Sequence, residues 1–313
     1  MARRLVLLLP FAFYQHFVLE ERFGFNRYTV ARFAADFLTW RFVNGVVYGV
    51  AATGALASFH WLAEQAWLTV WAVTAVIAAV VQFFSPVFIQ PLFYRFTPLA
   101  PGARRQAIAT VAQRLGYPLS GIFVINSSRQ TSKSKAICFG FGRNRRVALS
   151  DTLLNRHPAD ELAAIVAHEI GHAQLHHALL RLLAFLVFYA GLCFTLSLLQ
   201  QSDAVFAAFG VAERSPHVGL ALFLLFFGAW QSLLMTPIRL LFRRGEYQAD
   251  AFAAAAVGHP GAVARMLERI AGDNLVNVQP HPFFVFLNAA HPTVADRVAA
   301  LRRMPSAQRP EVG

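Results

Sequence analysis

Four stretches of this chain, residues 41–59, 66–89, 179–199 and 217–241, are apolar over lengths that can cross a bilayer, which takes about 20 residues of helix. In lipid every backbone N–H and C=O must be paired within its own segment, so these stretches are expected to be helices. The rest of the chain agrees, with 57% of its 313 residues hydrophobic and only 14% charged, where a soluble domain carries about 25% charged residues. Trp40, Trp61, Trp67 and Trp71 cluster near the ends of the first two stretches, as interfacial aromatics do. Residues 5–19 are also apolar but short. With Arg3 and Arg4 before them, Pro10 within them and no small-residue cleavage site, they read as a shortened membrane helix.

Charge orients the spans. The connections at 60–65 and 200–216 hold one arginine, Arg214, and three acids, Glu64, Asp203 and Glu213. Residues 93–178 and 242–313 carry most of the arginines, and Arg22, Arg27 and Arg32 precede the first span, which places these segments together in the cytoplasm. The net charge of +12 is spread between spans rather than gathered on one polar face, so no nucleic-acid partner is expected. Among the 28 basic residues only Lys133 and Lys135 are lysine; with the abundance of alanine this points to a high-GC bacterial genome and hence a bacterial inner membrane.

The polar segment between the span pairs has its own pattern. Residues 101–116 read as a helix stopped by Gly116 and Pro118; 122–126, 135–139 and 146–150 read as short strands, with turns at Asn126-Ser127-Ser128 and Gly140-Phe141-Gly142. A helix is expected over 160–178, running directly into the third span, and another over 251–257. Cys138 and Cys193 have neither metal-ligand spacing nor a secretory framework and read as packing residues.

The 160–178 helix carries His168-Glu169-Ile170-Gly171-His172. At about 100° per residue, positions four apart share a face, so both imidazoles can reach one tetrahedral Zn²⁺ while Glu169 points to its open side. A carboxylate there can serve as the base toward a water acidified by the metal. A third protein ligand is needed. Leu175 and Ala178 stand where a metzincin would have glycine and histidine, and the helical angles of His176 and His177 do not complete the cluster; these two read as polar residues at a membrane interface. The better source is Glu246-Tyr247-Gln248-Ala249-Asp250, on the same predicted side just after the last span. Glu246 and Asp250 share a helical face, so one carboxylate can bind zinc while the other accepts the N–H of a ligating histidine.

This ordered set resembles the M48 metallopeptidases of the Ste24, or CAAX prenyl protease 1, type. The likeness extends over residues 9–27, 85–99, 122–154 and 280–297, in the family's order. The resemblance implies a mainly α-helical integral membrane protein: a transmembrane helix bundle with a cytoplasmic zinc-metallopeptidase (gluzincin) domain containing a small β-sheet. The expected division is a membrane region over 1–91, a first catalytic part over 92–178, two transmembrane helices over 179–241 and a second catalytic part over 242–313. It implies one zinc per chain on His168, His172 and Glu246, with Glu169 as general base. Asp250 matches the supporting aspartate, and His291 and Arg297 match an element facing the substrate and the developing oxyanion. Residues 135–139 match the strand that lines the cleft, with Ser134-Lys135-Ala136 where the family shows Ser-Asn-Ala. Expected partners are a peptide or protein substrate and the lipid bilayer. Family members typically have seven spans and this chain begins within the third, so either its helical shell is open or completed by a partner or by self-association, or the start codon is mis-annotated and the true chain is longer. Two alternatives to Ste24-like peptide hydrolysis are a quality-control protease of membrane proteins, as in the HtpX branch, and a zinc-stabilised scaffold without activity.

Overall fold

The computed structural model describes residues 9–62, 65–140 and 142–305. Arg3, Arg4, residues 5–8 of the first apolar stretch, Glu64 and Phe141 lie outside the described residues. Residues 9–22 form a helix, α1, with a π-helical stretch at Gln15–Glu20. Two long helices follow and pack on each other, α2 (Val30–Leu62) and α3 (Ala66–Phe88). The first turns of α2, ahead of the expected 41–59 span, are polar. Arg32 donates to Asp36 at 3.0 Å and to the Phe93 carbonyl at 2.8 Å, and Gln130 donates to the same Asp36 at 2.8 Å. The first membrane helix is thereby tied to the polar half of the molecule.

The polar half begins with a four-stranded sheet ordered β1 (Phe96–Pro98), β2 (Gly121–Ile125), β4 (Arg146–Ser150), β3 (Ala136–Phe139). β1 and β2 are antiparallel, β2 and β4 parallel, β4 and β3 antiparallel. Sequence reading misses β1, whose three residues include a proline and give no alternation to detect. β3 is an edge strand; among the described residues its far side has no strand partner. α4 (Ala103–Arg114), α5 (Asp151–Arg156) and α6 (Ala159–Gln174) complete this part, with α6 packed between α4 and β3. Leu162, Val166 and Ile170, four apart on α6, are fully buried in one core with Ile108 and Val147, and this fixes the rotation of α6 about its axis.

α6 ends at Gln174 rather than continuing to residue 178, because His176 takes the left-handed conformation (φ 54°) and breaks the i→i−4 ladder. α7 (His177–Gln201) starts afresh at the next residue and is followed by α8 (Asp203–Ala208) and α9 (Pro216–Leu234). The expected 217–241 span is likewise divided. α9 stops at Leu234, and α10 (Thr236–Val257) begins with Pro237 in its first turn, whose missing N–H cannot continue the ladder. The 251–257 helix is the end of α10. Val30–Leu62, Ala66–Ser85 and His177–Gln201 are long and apolar enough to cross a membrane, and Pro216–Gly228 is a shorter apolar helix. Outward side chains on these helices, such as Phe42 and Val187, are 72% and 75% exposed, as lipid-facing residues are. Inside the bundle, Trp71 Nε1 donates to the Leu186 carbonyl at 2.9 Å.

The chain closes with α11 (Pro260–Asp273), α12 (Pro282–Asn288) and α13 (Val294–Arg302). α10 packs tightly along α6, and the contact depends on Gly171: a Cβ there would lie 3.0 Å from Cδ1 of Phe252. The glycine inside His168–His172 lets α10 approach α6.

Candidate active site

That close approach brings the polar residues of α6 and α10 to one level. His168 and His172, a turn apart, turn their Nε2 atoms to within 3.1 Å of each other. Glu246 of α10 places Oε2 3.6 Å from His168 Nε2 and Oε1 3.4 Å from His172 Nε2. One ligand atom from each residue thus lies within 4.8 Å of the others. A tetrahedral ion with bonds of about 2.0–2.1 Å holds its ligand atoms roughly 3.3 Å apart, so the chemistry and spacing of this donor set fit a metal ion.

Asp250, one turn beyond Glu246, lies with Oδ1 3.0 Å from His168 Nδ1. Its other contacts come from Arg297 on α13, whose Nε and Nη2 donate to the two carboxylate oxygens at 2.7 and 2.6 Å. Arg297 Nη1 lies 3.5 Å from Glu246 Oε2. This guanidinium is buried and turned toward Asp250 and Glu246 of α10. His291, in the loop before α13, is open instead: its side chain is 65% exposed and its Nδ1 lies 3.2 Å from Glu246 Oε1.

Two further residues belong to the cluster. His177, expected at the membrane interface, is buried at 3% exposure. Its Nδ1 lies 2.9 Å from His172 Nδ1 and its Nε2 3.1 Å from Gln248 Oε1. It holds the back of the His172 ring as Asp250 holds that of His168. The break at His176 turns it there. Arg181, inside the stretch that hydropathy marks as a span, donates to Glu246 Oε1 at 3.1 Å. A histidine four residues before an arginine is the only trace of this pair in the sequence, and it is masked by the surrounding leucines.

A sequence profile described as peptidase family M48 matches residues 98–305, and one described as the CAAX prenyl protease N-terminal region, with five membrane helices, matches residues 1–95. This chain belongs to peptidase family M48. It is similar to the CAAX prenyl protease 1 homolog of Arabidopsis thaliana, 32% identical over 301 residues that cover 94% of this chain and 69% of the plant protein. The CAAX prenyl protease 1 of Saccharomyces cerevisiae is 31% identical over 310 residues, covering 94% and 68%. The crystal structure of S. mikatae Ste24p superposes with a TM-score of 0.88 at 29% identity, over 96% of this chain and 73% of that one. The M48 peptidase is therefore a multi-pass integral membrane protein with a metallopeptidase fold.

The electrostatics of the M48 centre follow from burial and from the partners just named. Burial alone would raise the Glu246 carboxyl, but hydrogen bonds from His168, His172 and His291 hold it far below the usual carboxylate range. Asp250, also raised by burial, is brought below its ordinary value by Arg297 and His168. Burial would lower the His168 imidazole, yet Asp250 and Glu246 raise it to about 9. Glu169 behaves oppositely to the other two acids. Burial pushes its carboxyl up, and the nearby His168 offsets this only in part. Glu169 also borders β3: the Cys138 thiol of that strand is pushed up first by burial and then by the charge of Glu169. Glu169 is thus a carboxyl of raised pKa whose charge acts on His168 and on the edge strand β3.

Proposed function

We propose that this M48 peptidase is a zinc-dependent endopeptidase that hydrolyses peptide bonds at the cytoplasmic face of the membrane, with its catalytic domain divided into 92–178 and 242–313 around the helices of 179–241. The observation that carries this reading is the convergence of His168, His172 and Glu246, with Glu169 beside them. Zinc held by His168, His172 and Glu246 would supply a Lewis acid and lower the pKa of water. Glu169 takes the proton from the attacking water and returns it to the leaving amine; a carboxyl raised by burial holds a proton more readily than an ordinary carboxylate, as this shuttle requires. His291, exposed at the rim, donates to the developing oxyanion. Arg297 works through Asp250, which fixes the His168 ring, while His177 fixes the His172 ring and Arg181 holds Glu246; each is a positioning residue.

The free edge of β3 supports an extended substrate. A peptide pairing along residues 136–139 would lie beside Glu169, held by main-chain hydrogen bonds that do not depend on sequence. The test is proteolysis by the full chain purified in detergent, on an unmodified extended peptide, a farnesylated CAAX peptide and an unfolded membrane protein, with Glu169→Gln as control. Hydrolysis by the wild type that Glu169→Gln lowers at least a hundredfold supports the mechanism, and the preferred substrate separates a Ste24-like role from a quality-control one. A zinc-loaded wild type no faster than Glu169→Gln on all three would leave only the inactive scaffold.

A further inference from the structure

Behind the ligand Glu246, on the flank where α7 packs on α10, lies a cavity of about 160 Å³ lined by His177, Leu180, Arg181, Leu241, Arg244 and Gln248. That volume is well above the roughly 10–15 Å³ that one water needs. The cavity holds two cationic side chains with donors to spare. Arg181 uses Nη2 on Glu246, while its Nε is buried without an acceptor. A buried guanidinium donor left unpaired costs free energy that an anion would recover. Arg244 is exposed, and its guanidinium has no acceptor among the described residues. Gln248 contributes an amide whose oxygen is taken by His177, leaving its N–H₂ free to donate. The nearby acid Glu246 is already paired with Arg181 and Arg297, at 3.1 and 3.5 Å. Leu180, 45% exposed, stands in the first turn of α7, at one end of the candidate span His177–Gln201, and lines the cavity with Leu241 of α10.

We propose that this cavity binds a phosphate group, with Arg181 and Arg244 as its two cationic arms and Gln248 as a third donor. Guanidinium is matched to phosphate by its planar fork of donors. A phosphate taken by Arg181 Nε leaves the Nη2 contact to Glu246 in place, so occupancy would brace a metal ligand rather than compete for its partner. The apolar rim favours a phospholipid headgroup over a free ion, and the same chemistry admits either. The site would then anchor the catalytic half to the membrane surface independently of the peptide cleft.

Binding distinguishes this from the catalytic reading, since it is measured without a substrate. Inorganic phosphate is titrated into the detergent-purified full chain by calorimetry, with acetate as the carboxylate control. In parallel, the protein is reconstituted in nanodiscs of phosphatidylcholine alone or with phosphatidic acid, and lipid retained after detergent washing is counted by native mass spectrometry. Saturable phosphate binding, or retained phosphatidic acid, weakened about tenfold by Arg244→Gln, is the expected result. Phosphate binding without lipid retention identifies a soluble source, and the reverse identifies a headgroup; both uphold the site. Arg181→Gln should weaken the same probes, with zinc content measured to monitor the metal centre. The proposal is overturned if neither probe binds, if acetate binds as well as phosphate, or if binding is unchanged in both Arg244→Gln and Arg181→Gln.

Discussion

Asp250 sits in two roles that a pair of substitutions can separate. It is 1% exposed, receives two hydrogen bonds from Arg297 at 2.7 and 2.6 Å, and stands 3.0 Å from His168 Nδ1. In Asp250→Ala the Arg297 guanidinium, itself 9% exposed, loses its carboxylate and stays buried. Breaking such a pair from one side costs about 3–5 kcal/mol, which for a chain of this size lowers the apparent melting temperature by roughly 5–8 °C. Loss of the partner behind His168 should also weaken zinc about 10- to 100-fold. Adding Arg297→Met removes the stranded charge. Because a buried ion pair replaced by well-packed apolar groups is close to neutral, the double variant should regain most of the lost melting temperature. Zinc affinity should not return, since nothing then orients His168. The assay pairs thermal unfolding in detergent with zinc competition against a chelator. A single variant that melts within 2 °C of wild type, or a double variant that recovers zinc together with stability, would refute the division of labour argued for Asp250.

Other expectations follow from the same geometry. His168 must be neutral to bind metal, yet its pKa is about 9, so below that pH zinc competes with one proton and apparent affinity should rise about tenfold per unit from pH 6 to 8. A flat chelator-competition profile over that range would contradict it. Glu169→Gln should lower kcat by about 10²–10⁴-fold while retaining zinc. Its melting temperature at pH 7 should be equal to or above that of the wild type. A carboxyl whose folded pKa is raised stabilises the fold only at low pH, and ionisation costs stability as pH rises through that value. Gly171→Ala would set a Cβ 3.0 Å from the Phe252 ring and push α10 from α6, destabilising by about 1–3 kcal/mol; added loss of zinc in a metal titration would confirm that this approach positions Glu246. Lys135→Asn should change which substrate side chains are accepted in a peptide library without changing zinc content, because Lys135 precedes β3 and its Nζ stands 3.7 Å over the Tyr94 ring.

The parts of this centre legible in the sequence are those carried by one regular helix. His168 and His172 share a face at any helical phase, and the buried stripe of Leu162, Val166 and Ile170 fixes which side that face takes. The carboxylates of α10 could be matched to them because charge bias placed both helices on one side of the membrane. What could not be read depends on breaks and long-range pairing. His177 and Arg181 look like residues of a membrane helix until the left-handed turn at His176 redirects the first turn of α7 toward His172 and Glu246. The hydropathy of 217–241 runs past Met235, and only Pro237 marks where the apolar helix ends and the ligand helix starts. Arg297 gave no sign that its partner was Asp250, since 47 residues separate them.

The most direct test of the central claim is the zinc-edge anomalous signal from crystals of the purified chain. The account predicts one peak per chain, within about 2.0–2.2 Å of the Nε2 atoms of His168 and His172 and a carboxylate oxygen of Glu246, lost when Glu246 is replaced by Ala. A peak held by other residues, or full zinc occupancy in Glu246→Ala, would contradict it.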